Sequence, residues 1–400
     1  MQASETPQAI VRQLDERYLI DTLVELARVP TAVELGPNVF MEPDDPKLVH
    51  YVQHVLRPRF QAIQAYDVID VPRNQLVIRY GNGTSPASLL LMVYTPTQHH
   101  NLMPEPFSGH IARGTAWGHD EPCIFGQGVT QNKAHHAVVL AVLKLLLAQR
   151  VPLRGTLYVA VNNEGRSSHA CSEAILATLD RKPDFAILLM HTGLRISLGN
   201  RGRVDVNVEV RGKAVHSSQP QQGLSAIEGA HEAMSRLRQV PLGASHALLG
   251  GRHAIVYQMT FEPLAPHTLP ELARLRIDRR LLPGDDPEAA TADVRRALGD
   301  LAPYDVRVER GPVMLPALVP ADHPGVQALQ NAHCQVRGSD PETYYGQGSF
   351  DAGGPCAAGV PAVMYGVGGG VSPLGVDFTP ISQVVDEARV VLHTVLSLLR

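Results

Sequence analysis

The residues best placed for chemistry close an apolar run, LYVAVNNEGR (residues 157–166), where Asn162, Asn163 and Glu164 follow one another. A strand that delivers polar side chains at its C-terminal end is where α/β proteins gather ligands and reacting groups. Glu164 can bind a cation or move a proton. An amide such as Asn163 cannot accept a proton at neutral pH, so two of the three positions lack the carboxylates a hydrolytic site would want.

The surrounding pattern supplies the elements that must hold this strand end. Residues 17–28 carry apolar positions at helical spacing, and a second helical pattern lies near residues 48–56. Residues 75–79 and 88–94 (SLLLMVY) read as strands, the second apolar throughout, as a strand buried on both faces should be. Residues 95–134 form a long, loop-dominated stretch containing TPTQHHN, PEPF and FGQGVTQNK. An apolar helix over 135–149, a strand over 155–162, a helix around 172–179 and a strand over 185–190 follow. Strands alternating with helices imply an α/β fold with a mainly parallel sheet covered on both faces.

After Gly202 the pattern changes. VDVNVEV (residues 204–210) alternates apolar and polar, the mark of a strand with one solvated face. Ser225 with Glu228 reads as a capping box, and Asp286-Pro287 as a helix N-cap and first turn. A further strand over 273–278 and DVRVERG complete a small α+β (ferredoxin-like) insertion over residues 203–311. The larger domain then comprises 1–202 and 312–400, closing with PAVMYGV, a GGG loop and a helix opened by Thr379-Pro380.

Composition narrows the function classes. With 44% hydrophobic and 18% charged residues the 400-residue chain is globular, and a net charge of −4 gives no reason to expect nucleic acid or a membrane surface as partner. No apolar run approaches the ~20 residues of a membrane span. The N-terminal residues show no secretory pattern, and Cys123, Cys171, Cys334 and Cys356 form no CxxC pair, which together point to the cytoplasm.

The order of landmarks resembles the zinc-dependent family of aminoacylases, acetylornithine and succinyl-diaminopimelate deacylases and glutamate carboxypeptidases. RGKAVHSSQPQQGLSAIEGA (211–230) is similar to that family's lid signature G-K-x-x-H-x-x-x-P-x-x-G-x-x-A-I, and IDRRLLPGDDPE (277–288) to its D-x-R-x-x-P-G motif. FGQGVTQNKAHHA resembles the G-R-G-x-x-D-x-K-G segment, and GSFDAGGPCAAGVPAVMYGVGGG the Gly-rich loop and strand near the C-terminus. The resemblance implies a dinuclear amidohydrolase scaffold interrupted by a lid that also forms a homodimer.

Carried over position by position, the family's ligands are mostly replaced. Its His-x-Asp motif falls on Tyr94 and Pro96, its bridging Asp on Gln131, and its Glu-Glu pair on Asn163 and Glu164. Its next acidic ligand falls at Met190 or His191, and its last His near Ser372 and Pro373. One glutamate beside neutral amides is a poor host for two zinc ions, so neither metal nor other cofactor is expected. Zinc enters only if a site is rebuilt from His99, His100, His135, His136, His169 and His191. Adjacent helical residues point about 100° apart, which argues against His135 and His136 sharing one ion.

Other features of the pattern are retained. His216 matches the lid histidine that contacts the substrate carbonyl, and Arg280 the lid arginine suited to a substrate carboxylate. His267 replaces the family's Asn. Gln131, Ser349 and Gly369 are further binding candidates, the last two through turns whose N–H groups suit anions. Lys133 could neutralise a carboxylate or, with its pKa lowered by burial, act as base or nucleophile. Tyr94 could donate to an oxyanion. The expectation is an enzyme acting on an acyl-amide bond of a small carboxylate-bearing substrate without the dinuclear mechanism. A non-catalytic ligand binder and a hydrolase with a relocated metal stay open as alternatives.

Overall fold

Strand Ser88–Tyr94 is buried at every position because it has neighbours on both sides. It runs parallel to Thr156–Asn162 and to Phe185–Leu189, and Ala362–Tyr365 adds a further parallel strand beside the latter. Gln75–Tyr80 and Val68–Val71 extend the sheet antiparallel. The computed structural model describes residues 6–32, 42–65, 67–97, 103–164, 168–371 and 375–400. Helix Ala134–Ala148 is apolar almost all round and correspondingly buried, and Ile381–Leu399 and Glu16–Ala27 pack beside it. These elements follow the hydrophobic pattern of the sequence to within a residue or two. No helix among the described residues is long and apolar enough to cross a membrane.

Two features depart from the expectation. The stretch around residues 48–56 is a π-helical segment, His50–Leu56, set between the short helices Pro46–Val49 and Arg57–Ala62. The loop-dominated region contributes strands Ile111–Arg113 and Pro122–Phe125 to a second sheet with Asp377–Pro380 and Gly370–Val371. Strands this short carry too few residues for alternation to register in the sequence; long-range pairing creates them.

The chain divides into two compact units, one of Met1–Gly199, Leu318–Tyr344 and Gly354–Arg400, the other of Asn200–Ala317 with Tyr345–Gly353. The second unit is wider than residues 203–311. Its extra segment is tied in by Gln347, whose carbonyl accepts from Arg280 Nη1 at 3.4 Å and whose side chain accepts from Arg201. In this unit Gly202–Arg211 lies between Leu272–Leu281 and Asp305–Met314, with Ala254–Glu262 at the edge, all antiparallel. Val204, Val206, Val208 and Val210 pack with helices Ala226–Leu237 and Pro287–Leu298, a ferredoxin-like βαββαβ arrangement. Asp286 caps its helix through the N–H groups of Glu288 and Ala289. Ser225 occupies the N-cap of the other helix but makes no capping bond; the Ala226 N–H is met by the Pro270 carbonyl at 2.9 Å.

Candidate functional site

The parallel register sets Tyr94 beside Asn162, so the ends of two buried strands present their polar residues together. Asn162 Oδ1 accepts from the Glu164 N–H at 2.8 Å and turns the chain out of the strand. Asn163 is fully buried, and its Nδ2 donates to the carbonyls of Asn74 and, at 3.4 Å, Arg73. Both acceptors sit at positive φ, +68° for Arg73 and +54° for Asn74, in the turn joining Val68–Val71 to Gln75–Tyr80. Left-handed non-glycine residues need local support, and Asn163 provides it. Glu164 is 3% exposed; its carboxylate accepts from Ser168 Oγ at 3.0 Å, Ser168 N at 3.3 Å and Cys171 N at 3.4 Å.

Gln131 and Lys133 lie on the π-helical turn Val129–Lys133 that opens helix Ala134–Ala148. The turn begins at Gly128, whose φ of +85° and 2.3 Å approach of a would-be Cβ to Thr97 Oγ1 exclude a larger residue. Asp377, a residue the sequence reading passed over, anchors it: its carboxylate accepts from Gly128 N at 2.6 Å and Thr130 N at 3.2 Å. Lys133 is enclosed, and its Nζ donates to Gln127 O at 2.7 Å and Ala27 O at 3.3 Å, with the Phe107 ring 5.3 Å away. Burial lowers the Lys133 pKa to about 7 and raises that of Asp377 to about 6, each effect opposed by their mutual attraction. A lysine held this way touches a ligand only if the turn opens. Gln131 is likewise buried, at 6% exposure.

Two of the histidines considered for a rebuilt metal site, His135 and His136, point to separate partners. His135 Nδ1 lies 2.7 Å from Glu387 Oε1, while His136 Nδ1 lies 3.4 Å from the Tyr51 hydroxyl, and burial lowers the His136 pKa to about 3. His99, His100, Ser372 and Pro373 lie outside the described residues. At the Gly-rich loop, Gly368 N–H is taken by Gln383 Oε1 at 2.7 Å. Gly369, at φ +139°, is required because a Cβ would sit 1.9 Å from the Phe378 carbonyl.

In the second unit His216, on strand Val215–His216, and His267, just before the paired strand Thr268–Leu269, come together with ring centroids 6.1 Å apart. His216 is exposed, and its Nδ1 is engaged by Ser218 Oγ at 2.8 Å, so Nε2 is the outward nitrogen. Arg280 joins a different cluster: its Nη2 pairs with Asp278 at 2.8 Å and its Nε lies 3.4 Å from His253 Nε2. Burial and the neighbouring Arg280 charge lower the Arg201 pKa. Ser349 lies two residues beyond Gln347 in the same unit.

The residues on the strand ends do not fit two zinc ions. Tyr94, Pro96, Gln131, Asn163 and Met190 or His191 leave Glu164 as the carboxylate donor, already bonded to Ser168 and Cys171. Among the described residues, no group of three or more His, Cys, Asp or Glu is arranged to hold a metal ion.

Comparison with known proteins follows the same division. Residues 198–306 match the family described as Peptidase dimerisation domain, M20_dimer. Acetylornithine deacetylase of Yersinia pestis is 26% identical over 159 residues, 39% of this chain and 38% of that protein. Its counterpart in Klebsiella pneumoniae (strain 342) is 27% identical over 117 residues, 29% of this chain and 30% of that protein. The matched stretch thus spans well under half the length of these curated relatives. Solved structures match along the whole chain. An M20 family metallo-carboxypeptidase from Sulfolobus solfataricus superposes with a TM-score of 0.77 at 16% identity, covering 96% of this chain and 99% of that one. A di-peptidase from Saccharomyces cerevisiae gives 0.75 at 13% identity, with 98% of each chain covered. Residues 198–306 thus carry an M20-type peptidase dimerisation domain, and the whole length shares the fold of the M20 metallo-carboxypeptidase.

Proposed function

We propose that the protein acts on an acyl-amide bond, by hydrolysis, transfer or formation, of a small carboxylate-bearing substrate such as an N-acyl amino acid or dipeptide, without a dinuclear zinc centre. The observation that carries the reading is the donor set at the strand ends, where Asn163 holds a backbone turn and Glu164 is the remaining carboxylate. Glu164 is the proton acceptor in this reading. His216 Nε2 donates to the carbonyl oxygen as it gains negative charge. Tyr94 and Gln131 supply hydrogen bonds, and Arg280, His267, Ser349 and Gly369 receive the rest of the substrate.

A second reading, a ligand-binding protein without turnover, draws support from the enclosed Lys133 and the committed Asn163 amide. Both readings include a homodimer formed through the inserted domain. The family match supports this, as do the exposed Ile255, Tyr257 and Met259 alternating along edge strand Ala254–Glu262. The four free thiols suit a cytoplasmic setting.

Mass spectrometry of reactions with N-acyl amino acids and dipeptides, with and without nucleophilic acceptors, tests the proposal. Product formation that survives metal removal supports the enzyme. Thermal stabilisation by these compounds without product favours the binder. Neither response from any of them would discard both readings.

A further inference from the structure

Arg201 and Arg280, both in the second unit, are tied to one residue, Gln347. Arg280 Nη1 donates to the Gln347 main-chain carbonyl at 3.4 Å, and Arg201 Nη2 donates to its side-chain carbonyl. Guanidinium groups gathered this way repel, and the charge of Arg280 is felt at Arg201. The carboxylate of the cluster, Asp278, is committed to Arg280 Nη2 at 2.8 Å and lies 3.6 Å from His253 Nε2. Burial lowers the His253 pKa against the pull of Asp278, so that ring is neutral at pH 7. Arg201 pairs with no carboxylate among the described residues; its Nε donates to the Leu249 carbonyl at 2.7 Å. Two arginines against one aspartate leave a single positive charge unmatched.

The cluster is open to solvent: Arg201 and Arg280 are half-buried and Gln347 is exposed. Gly250, at φ +72°, leaves the approach clear, since a Cβ there would stand 2.9 Å from Arg201 Nη2 and 3.8 Å from Gln347 Oε1. The acceptor offered to Arg201 is thus a neutral amide oxygen on an exposed side chain, where an anionic oxygen would bind more strongly. We propose that the Gln347 side chain is an internal stand-in for a ligand carboxylate, which Arg201 and Arg280 grip together once Gln347 swings aside. The assignment rests on the reading that gives Arg280 to the substrate, and it adds Arg201 as the residue that selects a carboxylate over its amide. A carboxylate suits the cluster in charge, which matches the one left over. It suits it in shape as well, because its two in-plane oxygens can each accept from one guanidinium.

Calorimetric titration and thermal unfolding of the full chain compare propionate with propionamide, and N-acetylglycine with N-acetylglycinamide, at equal ionic strength. In each pair the carboxylate is expected to bind about tenfold or more tightly than the amide, and Arg201→Gln should erase the difference. Gln347→Glu supplies the carboxylate from within the chain, so it should raise the melting temperature without ligand and abolish carboxylate binding. Because it alters an exposed residue, this variant decides the matter even where Arg201→Gln does not fold. Absent or equal binding of carboxylate and amide, a preference that survives Arg201→Gln, or a Gln347→Glu protein no more stable than the parent would each overturn the inference. A preference for propionate with no response to either N-acetyl compound would instead uphold the carboxylate site and count against the acyl-amide reading.

Discussion

Asn163 donates its side-chain amide to the backbone carbonyl of Asn74, tying the end of the strand Thr156–Asn162 to the tight turn beside it. This gives the amide a structural task at the position that the resemblance assigns to a general base. A carboxylate has no proton to donate to that carbonyl.

Asn163→Asp is therefore expected to destabilise the protein by about 3 kcal/mol, since it leaves a buried charge facing a carbonyl oxygen. Urea unfolding at neutral pH measures this. The same variant should gain no zinc-dependent hydrolysis, because the other donors remain unsuited to the metal.

Zinc content is a second test. Elemental analysis of the purified protein should find well under one zinc per chain, and chelators should leave any activity unchanged. Two tightly held zinc ions per chain would refute the assignment of the donor set.

His216→Ala should weaken substrate or ligand binding about tenfold or more, while unfolding stability changes by less than ~0.5 kcal/mol, as expected of an exposed site. Isothermal titration beside thermal unfolding separates the two quantities. Binding that persists unchanged would remove the lid histidine from the mechanism.

The buried Lys133 and Asp377 predict a specific pH dependence. The folded pKa of Lys133 is lowered to about 7, so between pH 7 and the unfolded value of 10.5 the unfolded chain binds the extra proton and stability rises with pH. Asp377, raised to about 6 from 3.8, has the opposite sign, and its contribution falls as pH rises through that window. Denaturant midpoints of the protein relative to Lys133→Met should increase from pH 7 to pH 10. A flat difference would show that Lys133 is not buried as described.

Much of the architecture was legible in the chain itself. The apolar runs in 88–94 and 155–162 read as strands, the first as one covered on both faces, and the alternation in 204–210 as a one-sided sheet. The amide-for-carboxylate exchange at Asn163 was equally plain, because proton affinity belongs to the residue type. Tertiary structure alone decided what those side chains do. Asp377 meets Gly128 and Thr130 across 249 and 247 residues, Glu387 meets His135 across 252, and Arg279 enters a core face that its charge would disfavour. Such partnerships depend on which backbone groups and cavities the fold brings within hydrogen-bond distance, and no local pattern encodes that.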